Sequence, residues 1–283
     1  MKDKAFDLLL VLAGVCIVLL AGGIVYALVS ESLPALDRFG FFGFMTGTEW
    51  SDHGHAYGAL PFITGTLLTS VLALLICVPF SMAVALFNGE YYRGTKVARA
   101  LSLIVDLLAG VPSIVYGLWG FYTLAPILKV LGVNGTGFGV LLASFVLAIM
   151  IIPYASSLSA EFISMVPNDL KESAYSLGTT KSETILSVSL PVAGSGIFAS
   201  YILAFGRALG ETMAVTMLIG NTNVIPTSLA STGNTMASVI ANQFGEAIGL
   251  KLSSLFAVGL LLFLITAVIN FVAKFIIKRL SGK

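Results

Sequence analysis

The chain has 283 residues, of which 57% are hydrophobic and 10% are charged, and its formal net charge is +1. Soluble domains have about 25% charged residues, so the composition excludes a soluble globular enzyme. It also gives no case for nucleic-acid binding, which requires a clustered basic surface. The two cysteines, Cys16 and Cys77, lie in apolar runs and offer neither a disulfide framework nor metal-ligand spacing.

Long charge-free windows predict membrane spans. A bilayer core of about 30 Å requires about 20 apolar residues, each adding about 1.5 Å of helix. The apolar parts of the windows predict six transmembrane helices, at residues 6–29, 64–88, 98–125, 138–159, 192–220 and 253–277. The first apolar run exceeds a signal-peptide core, so we expect it to remain as an anchor. The predicted fold class is an all-α membrane protein.

Two features along the first half of the chain refine this layout. The loop at residues 31–61 is rich in glycine and aromatic residues, which is typical of a membrane–water interface. His53 and His55 lie in this loop without a partner cysteine, so we predict no metal site. The helix predicted at 98–125 would be about 42 Å long, which exceeds the bilayer core, so we expect Gly110 and Pro112 to break it.

Lysine and arginine residues test the layout, because they concentrate on the cytoplasmic side of membrane proteins. With six helices, one side of the membrane carries eleven of them: Lys2, Lys4, Arg93, Lys96, Arg99, Lys171, Lys181, Lys274, Lys278, Arg279 and Lys283. The other side carries Arg38, Lys129 and Lys251, and Arg207 lies within a span. We therefore predict a multi-pass membrane protein, surrounded by lipid, with both termini in the cytoplasm.

The segment at residues 161–191 is polar, yet its pattern is helical. A break at Pro167 and an acidic residue at Asp169 predict a helix that Pro191 ends. Its apolar stripe consists of Ala174, Leu177 and Ile185. Its acidic residues outnumber its basic ones: Asp169, Glu172 and Glu183 against Lys171 and Lys181. Because helices on lipid headgroups are typically basic, we predict that this helix packs into a groove of another protein.

Charged residues inside a span mark functional sites by default. Arg207 and Glu211 are four residues apart in the predicted fifth helix, so they share one face and can pair. The pair either lines a pathway or is a packing salt bridge. Gly206 and Gly210 form a small-x-x-x-small pattern that permits close helix approach. Asp106 is either a second polar residue of the pathway or a carboxylate at a helix start.

The polar segment resembles the E-A-A-x3-G-x9-I-x-L-P loop of ABC-importer permeases at Glu172, Ser173, Ala174, Gly178, Val188, Leu190 and Pro191. The departures are Ser173, where the family has alanine, and Val188, where it has isoleucine. The resemblance implies a coupling helix that docks into a cytoplasmic ATPase. The sequence has no G-x-x-x-x-G-K-S/T phosphate loop, so we expect no enzymatic activity from this subunit and ATP hydrolysis in a separate one.

Residues 66–79, 106–113, 116–120 and 206–214 resemble the PstC-type permeases of phosphate ABC importers, a similarity that covers about residues 40–275. It implies a type I ABC-importer fold and a role for Arg207 and Glu211 in phosphate passage. It also implies a sister permease, an ATPase dimer and an extracytoplasmic phosphate-binding protein. No cofactor is expected on this chain, since the partner ATPase uses ATP and Mg²⁺. A six-span permease without its own ATPase indicates a prokaryotic cytoplasmic membrane.

The predicted organisation has three parts. Residues 1–61 form the first helix and outer loop, residues 62–277 the permease core, and residues 278–283 a basic tail. One alternative function is a permease for another oxyanion, such as sulfate or molybdate. A second is a stand-alone channel or secondary transporter, which would need no ATPase and in which internal repeats are common. The sequence shows no convincing repeat between its halves.

Overall fold

The computed structural model describes residues 2–51, 56–133 and 136–281, so His53 and His55 lie outside the described residues. The α-helices are α1 (Lys2–Phe39), α2 (Phe41–Thr46), α3 (Leu60–Leu86), α4 (Lys96–Gly110), α5 (Ser113–Trp119), α6 (Ala125–Val130), α7 (Val140–Ser164), α8 (Asn168–Ser176), α9 (Lys181–Thr184), α10 (Leu190–Leu209), α11 (Met213–Leu218), α12 (Met236–Gln243) and α13 (Gly249–Ser281). Short strands β1 (Trp50–Ser51) and β2 (Ala56–Tyr57) pair antiparallel. The remaining turns are π turns at Phe87–Tyr91, Gly120–Leu124 and Ile185–Ser189 and a 3₁₀ turn at Phe244–Glu246.

Six helical runs in the described part of the chain are long and apolar enough to cross a membrane. They are Phe6–Phe39, Leu60–Tyr91, Ser113–Val130, Val140–Ser164, Lys181–Leu209 and Gly249–Arg279. The predicted number of spans is therefore confirmed. Several runs exceed the predicted bounds, because a helix continues past its apolar stretch where its end reaches water or headgroups.

The third predicted helix is two elements. Val111 and Pro112 both have extended backbone, which separates α4 from the run that begins at Ser113. The expected break is confirmed, and its cause is the steric clash of a proline ring with helical geometry at the preceding residue. The predicted bounds of 98–125 were wrong: the span runs from Ser113 to Val130, and α4 precedes it as a separate helix.

The fifth helical run begins before Pro191 and passes through it, so the prediction that Pro191 ends a helix was wrong. The π turn at Ile185–Ser189 precedes Pro191, which stands in the first turn of α10. A π turn inserts an extra residue and re-phases the backbone hydrogen bonds, so a proline directly after it is tolerated. The same run stops at Leu209 rather than reaching the predicted residue 220.

α7 lies at the centre of the molecule, with α3 and α10 packed against it. It is apolar on all sides, as expected of a buried helix, and its interior contacts include Val146, Leu147, Met150 and Ile151. α1 lies at the edge and packs against α13, where the Ser253 hydroxyl accepts from the Ala35 N–H at 3.0 Å and donates to the Glu31 carbonyl at 2.8 Å. The remaining apolar surface of α1 is exposed and available to lipid.

The polar stretch at residues 221–235 folds back onto the ends of α3 and α7. The N–H groups of Val140 and Leu141 donate to the carbonyls of Ser231 and Leu229, at 3.1 and 2.8 Å. A Cβ at Gly65 in α3 would lie 2.0 Å from the Asn234 carbonyl oxygen, so only glycine fits there. This polar stretch therefore has backbone partners within the chain, as a segment near the hydrocarbon region requires.

Candidate functional site

Arg207 lies in the last turn of α10, with its side chain exposed on the surface of the single chain. Its guanidinium carbon is 4.1 Å from the centroid of the Tyr154 ring of α7. A cation over an aromatic face is attracted by the ring quadrupole. The ring covers one face of the planar guanidinium and leaves its N–H donors at the edge, where the oxygens of an anion can bind.

Tyr154 also ties this arginine to the end of α4. Its hydroxyl donates to the Ala109 carbonyl at 3.3 Å, and the Tyr116 hydroxyl donates to the Leu108 carbonyl at 2.9 Å. Both carbonyls belong to the last turn of α4, where carbonyls lack the usual i+4 partner, and the Leu108 carbonyl also accepts the Val111 N–H at 3.3 Å. We call Arg207, Tyr154, Tyr116 and this last turn the arginine site. The break at Pro112 thus exposes the carbonyls that orient the two tyrosines.

Glu211 does not pair with Arg207, which corrects the prediction of a shared helix face. α10 ends at Leu209, and the Glu211 carboxylate accepts a hydrogen bond from the Ala214 N–H at 3.4 Å, in the first turn of α11. Gly210, which favours helix termination, separates the two charged residues. An ion pair lies elsewhere in the described part of the chain, between Lys171 and Glu90.

The remaining predicted pathway residue is Asp106. Asp106 is exposed and lies well inside α4, which begins at Lys96, so the alternative of a helix-start carboxylate was wrong. At Gly206, which was predicted to permit close helix packing, a Cβ would meet nothing within 4 Å, so no other described helix approaches closely there. Sequence reasoning missed Tyr154 and Tyr116. Hydroxyl groups within otherwise apolar runs were the available signal, because buried polar groups require partners.

The segment that contains Glu172, Ser173 and Ala174 forms two short helices, α8 and α9, which with their connecting turn we call the coupling loop. Gly178 has φ +86°, a left-handed conformation that favours glycine. Its N–H donates to the Tyr175 carbonyl at 2.9 Å, and the Thr179 N–H donates to Ala174 at 3.4 Å, which is a Schellman motif. Gly178 therefore serves the turn and not a close helix approach, since a Cβ there would meet nothing within 4 Å.

The turn also corrects the predicted apolar stripe. Ala174 and Ile185 are buried, but Leu177 is 87% exposed at the tip of the loop. α9 starts with a capping box, in which the Thr180 N–H donates to Glu183 at 2.7 Å and the Glu183 N–H donates to the Thr180 hydroxyl at 3.4 Å. The remaining motif residues follow: Val188 in the π turn, and Leu190 and Pro191 at the start of α10.

Lys171 is not the surface charge that the sequence suggested. Its Nζ donates to Oε2 of Glu90, in the π turn after α3, at 2.6 Å, and both side chains are almost fully buried. Asp169, Glu172 and Glu183 remain exposed. The exposed surface of the coupling loop is therefore more acidic than the residue count indicates, which disfavours a lipid surface as its partner.

The fold is that of the membrane subunits of ABC importers. The chain superposes with a TM-score of 0.69 and 18% identity on a chain of a bacterial alginate ABC transporter in complex with a periplasmic protein bound to an alginate pentasaccharide, covering 99% of this chain and 97% of that one. The chain shares with that structure the architecture of a membrane subunit, with its coupling loop between the fourth and fifth spans.

Sequence comparison identifies the family. Residues 77–282 match the family described as binding-protein-dependent transport system inner membrane component, and the chain belongs to it. A phosphate transport system permease protein PstC of Mesorhizobium japonicum is 39% identical, covering 100% of this chain and 92% of the relative. A protein of the same name from Pasteurella multocida is 38% identical, covering 94% and 88%. The resemblance found in the sequence is confirmed.

Proposed function

We propose that this chain is a permease subunit of an ATP-driven importer of inorganic phosphate. The observation that carries the proposal is Arg207, whose guanidinium is held on the Tyr154 ring with its donor edge open. A guanidinium makes paired, charge-assisted hydrogen bonds to phosphate oxygens. The names of the PstC relatives support phosphate as the anion.

One arginine makes a weak site, which suits passage rather than storage. Glu211 lies nearby in sequence and would repel a phosphate dianion, so we propose that it weakens phosphate binding at Arg207. We keep Asp106 as a second polar residue of the pathway. Selection of phosphate over other oxyanions then belongs to a separate binding protein. The open surfaces at Arg207 and Gly206 suit a sister permease that supplies the other half of the pathway.

The coupling loop is proposed to dock into a cytoplasmic ATPase dimer, through the exposed Leu177 and the acidic residues around it. This chain itself would bind no cofactor, because ATP and Mg²⁺ would be used by that dimer. The excess of basic residues on the side of this loop supports an orientation with both termini in the cytoplasm of a prokaryote. ATP-driven closure of the dimer would then shift the loop and bias the spans toward one of two packings.

Uptake of radiolabelled phosphate at low concentration, with and without the gene, tests this proposal. We expect selective loss of phosphate uptake, while sulfate and molybdate uptake measured in parallel remain unchanged. If sulfate or molybdate uptake is lost instead, that anion and not phosphate is the substrate. Uptake that survives ATP depletion would favour a stand-alone channel or secondary transporter over an ABC importer.

A further inference from the structure

The buried ion pair between Glu90 and Lys171 joins the coupling loop to the second membrane span. Glu90 lies in the π turn Phe87–Tyr91, which continues the span beyond α3, and Lys171 lies in α8. Their side chains are only 6% and 9% exposed. Removing one partner of such a pair leaves a buried charge uncompensated, which is strongly unfavourable, so the pair resists separation of the two elements.

Further contacts connect the same turn to the fifth helical run. The Ser189 hydroxyl, in the π turn before α10, donates to Oε2 of Glu90 at 3.5 Å. Lys181 of α9 donates to the Tyr91 carbonyl at 3.2 Å and lies 5.0 Å from the centroid of the Tyr91 ring. Two lysines of the coupling loop, one from each short helix, thus hold consecutive residues of the second span.

The turn that carries Glu90 is packed without clearance against α7. A Cβ at Gly89 would lie 2.8 Å from the Ala160 carbonyl oxygen and 3.2 Å from side-chain atoms of Ile163. Closely packed interiors transmit displacement rather than absorb it. If α8 moves and displaces Glu90, the position of α3 relative to α7 should therefore change, because these two helices pack closely against each other.

We propose that the Glu90–Lys171 ion pair transmits movement of the coupling loop to the second span, and that both residues are positioning residues for transport. This inference rests on the proposed function, because it takes the loop to be moved by an ATPase. Glu172, the next residue in α8, is exposed and stays available to that ATPase, while Lys171 faces the permease. Neighbouring residues of α8 thus face the two proteins whose movements are to be coupled, Lys171 the permease and Glu172 the ATPase.

The test uses the whole importer in vesicles, with its sister permease, ATPase and binding protein. Phosphate taken up per ATP hydrolysed is measured for Glu90→Gln, for Lys171→Met and for the double variant. We expect each single variant to keep hydrolysing ATP but to lose about fivefold or more in this ratio, the lower end of typical couplings between distant sites. The double variant should be no worse than either single one, because the residues act as a unit. Glu161→Gln, which changes an exposed carboxylate of α7, should leave the ratio unchanged.

An unchanged ratio in either single variant, or losses that add in the double variant, would overturn the proposal. If a single variant does not assemble, the double variant decides, since it leaves no unpaired buried charge. Uncoupled hydrolysis in the assembled double variant supports the proposal, whereas a normal ratio or failed assembly makes the pair purely structural. If the wild-type importer takes up no phosphate, the proposed substrate fails instead, and stimulation of ATP hydrolysis by the binding protein becomes the readout.

Discussion

The coupling loop and the arginine site differ in how completely this chain builds them. The loop has a Schellman turn at Gly178, a capping box at Thr180 and a buried ion pair at Lys171, so its shape is set by contacts within the chain. Arg207 lies over the Tyr154 ring and leaves its donor edge open. A loop of fixed shape suits transmission of movement, whereas a half-built site suits a pathway that a second subunit completes.

Replacement of the arginine gives the largest expected effect. Arg207→Ala should lower phosphate uptake by about 10- to 100-fold, because a hydrogen bond to a charged group contributes about 1.5–3 kcal/mol. The complex should still assemble, since the side chain is exposed in this chain. Uptake in vesicles and co-purification of the subunits are the measurements, with Arg99→Ala in α4 as the matched control. Failed assembly would show that Arg207 is structural.

At the tip of the coupling loop, Leu177→Ser should weaken binding of the ATPase by about tenfold, since burial of a leucine contributes about 1.5–3 kcal/mol. The variant subunit should fold normally, because Leu177 is exposed. Binding of the purified ATPase to the membrane subunits measures the effect. Leu131→Ser, at another exposed leucine, is the control. Equal affinity of the wild type and Leu177→Ser for the ATPase would remove Leu177 from the proposed interface.

The turn of the coupling loop can be strained without removing a side chain. Gly178→Ala places a Cβ in a left-handed conformation at a cost of about 1–2 kcal/mol, and we expect a several-fold loss of phosphate taken up per ATP. Gly178→Asn should be milder, because asparagine tolerates this conformation. Gly94→Ala is the matched control, since Gly94 has φ +78° in a turn outside the loop. If Gly94→Ala lowers phosphate taken up per ATP by as much, backbone strain alone explains the effect.

Replacement of Tyr154, whose ring lies against the Arg207 guanidinium, gives the smallest expected effect. Tyr154→Leu removes the ring and should lower uptake by about two- to fivefold, in line with a cation–π contribution of about 0.5–1 kcal/mol. Tyr154→Phe keeps the ring, loses the hydrogen bond to Ala109 and should lower uptake less. Uptake kinetics of the two variants make the comparison. A larger loss for Tyr154→Phe would assign the role of Tyr154 to its hydroxyl.

The number of spans could be predicted from the sequence because hydrocarbon thickness sets a length that charge-free runs must match. The break at Pro112 was also predictable, since proline acts on its immediate neighbour. The passage of a helix through Pro191 was not, because the π turn that accommodates it leaves no simple sequence pattern. The early end of α10 at Leu209 separated two charges that a continuous helix would have paired.

Pattern and spacing located the coupling loop, but not its internal contacts. The partner of Lys171 is 81 residues away in the chain, at Glu90. Such long-range pairs arise from the tertiary fold, which local periodicity does not encode. The exposure of Leu177 likewise depends on the turn at Gly178, where two short helices replace the single predicted one.

The most direct test of the division between the two regions measures phosphate uptake and ATP hydrolysis in the same vesicles, for Arg207→Ala and Gly178→Ala. We expect Arg207→Ala to lower uptake and hydrolysis together, so that phosphate taken up per ATP is preserved. Gly178→Ala should leave hydrolysis in place while that ratio falls. If both variants change the ratio to the same extent, the arginine site and the coupling loop do not have separate functions.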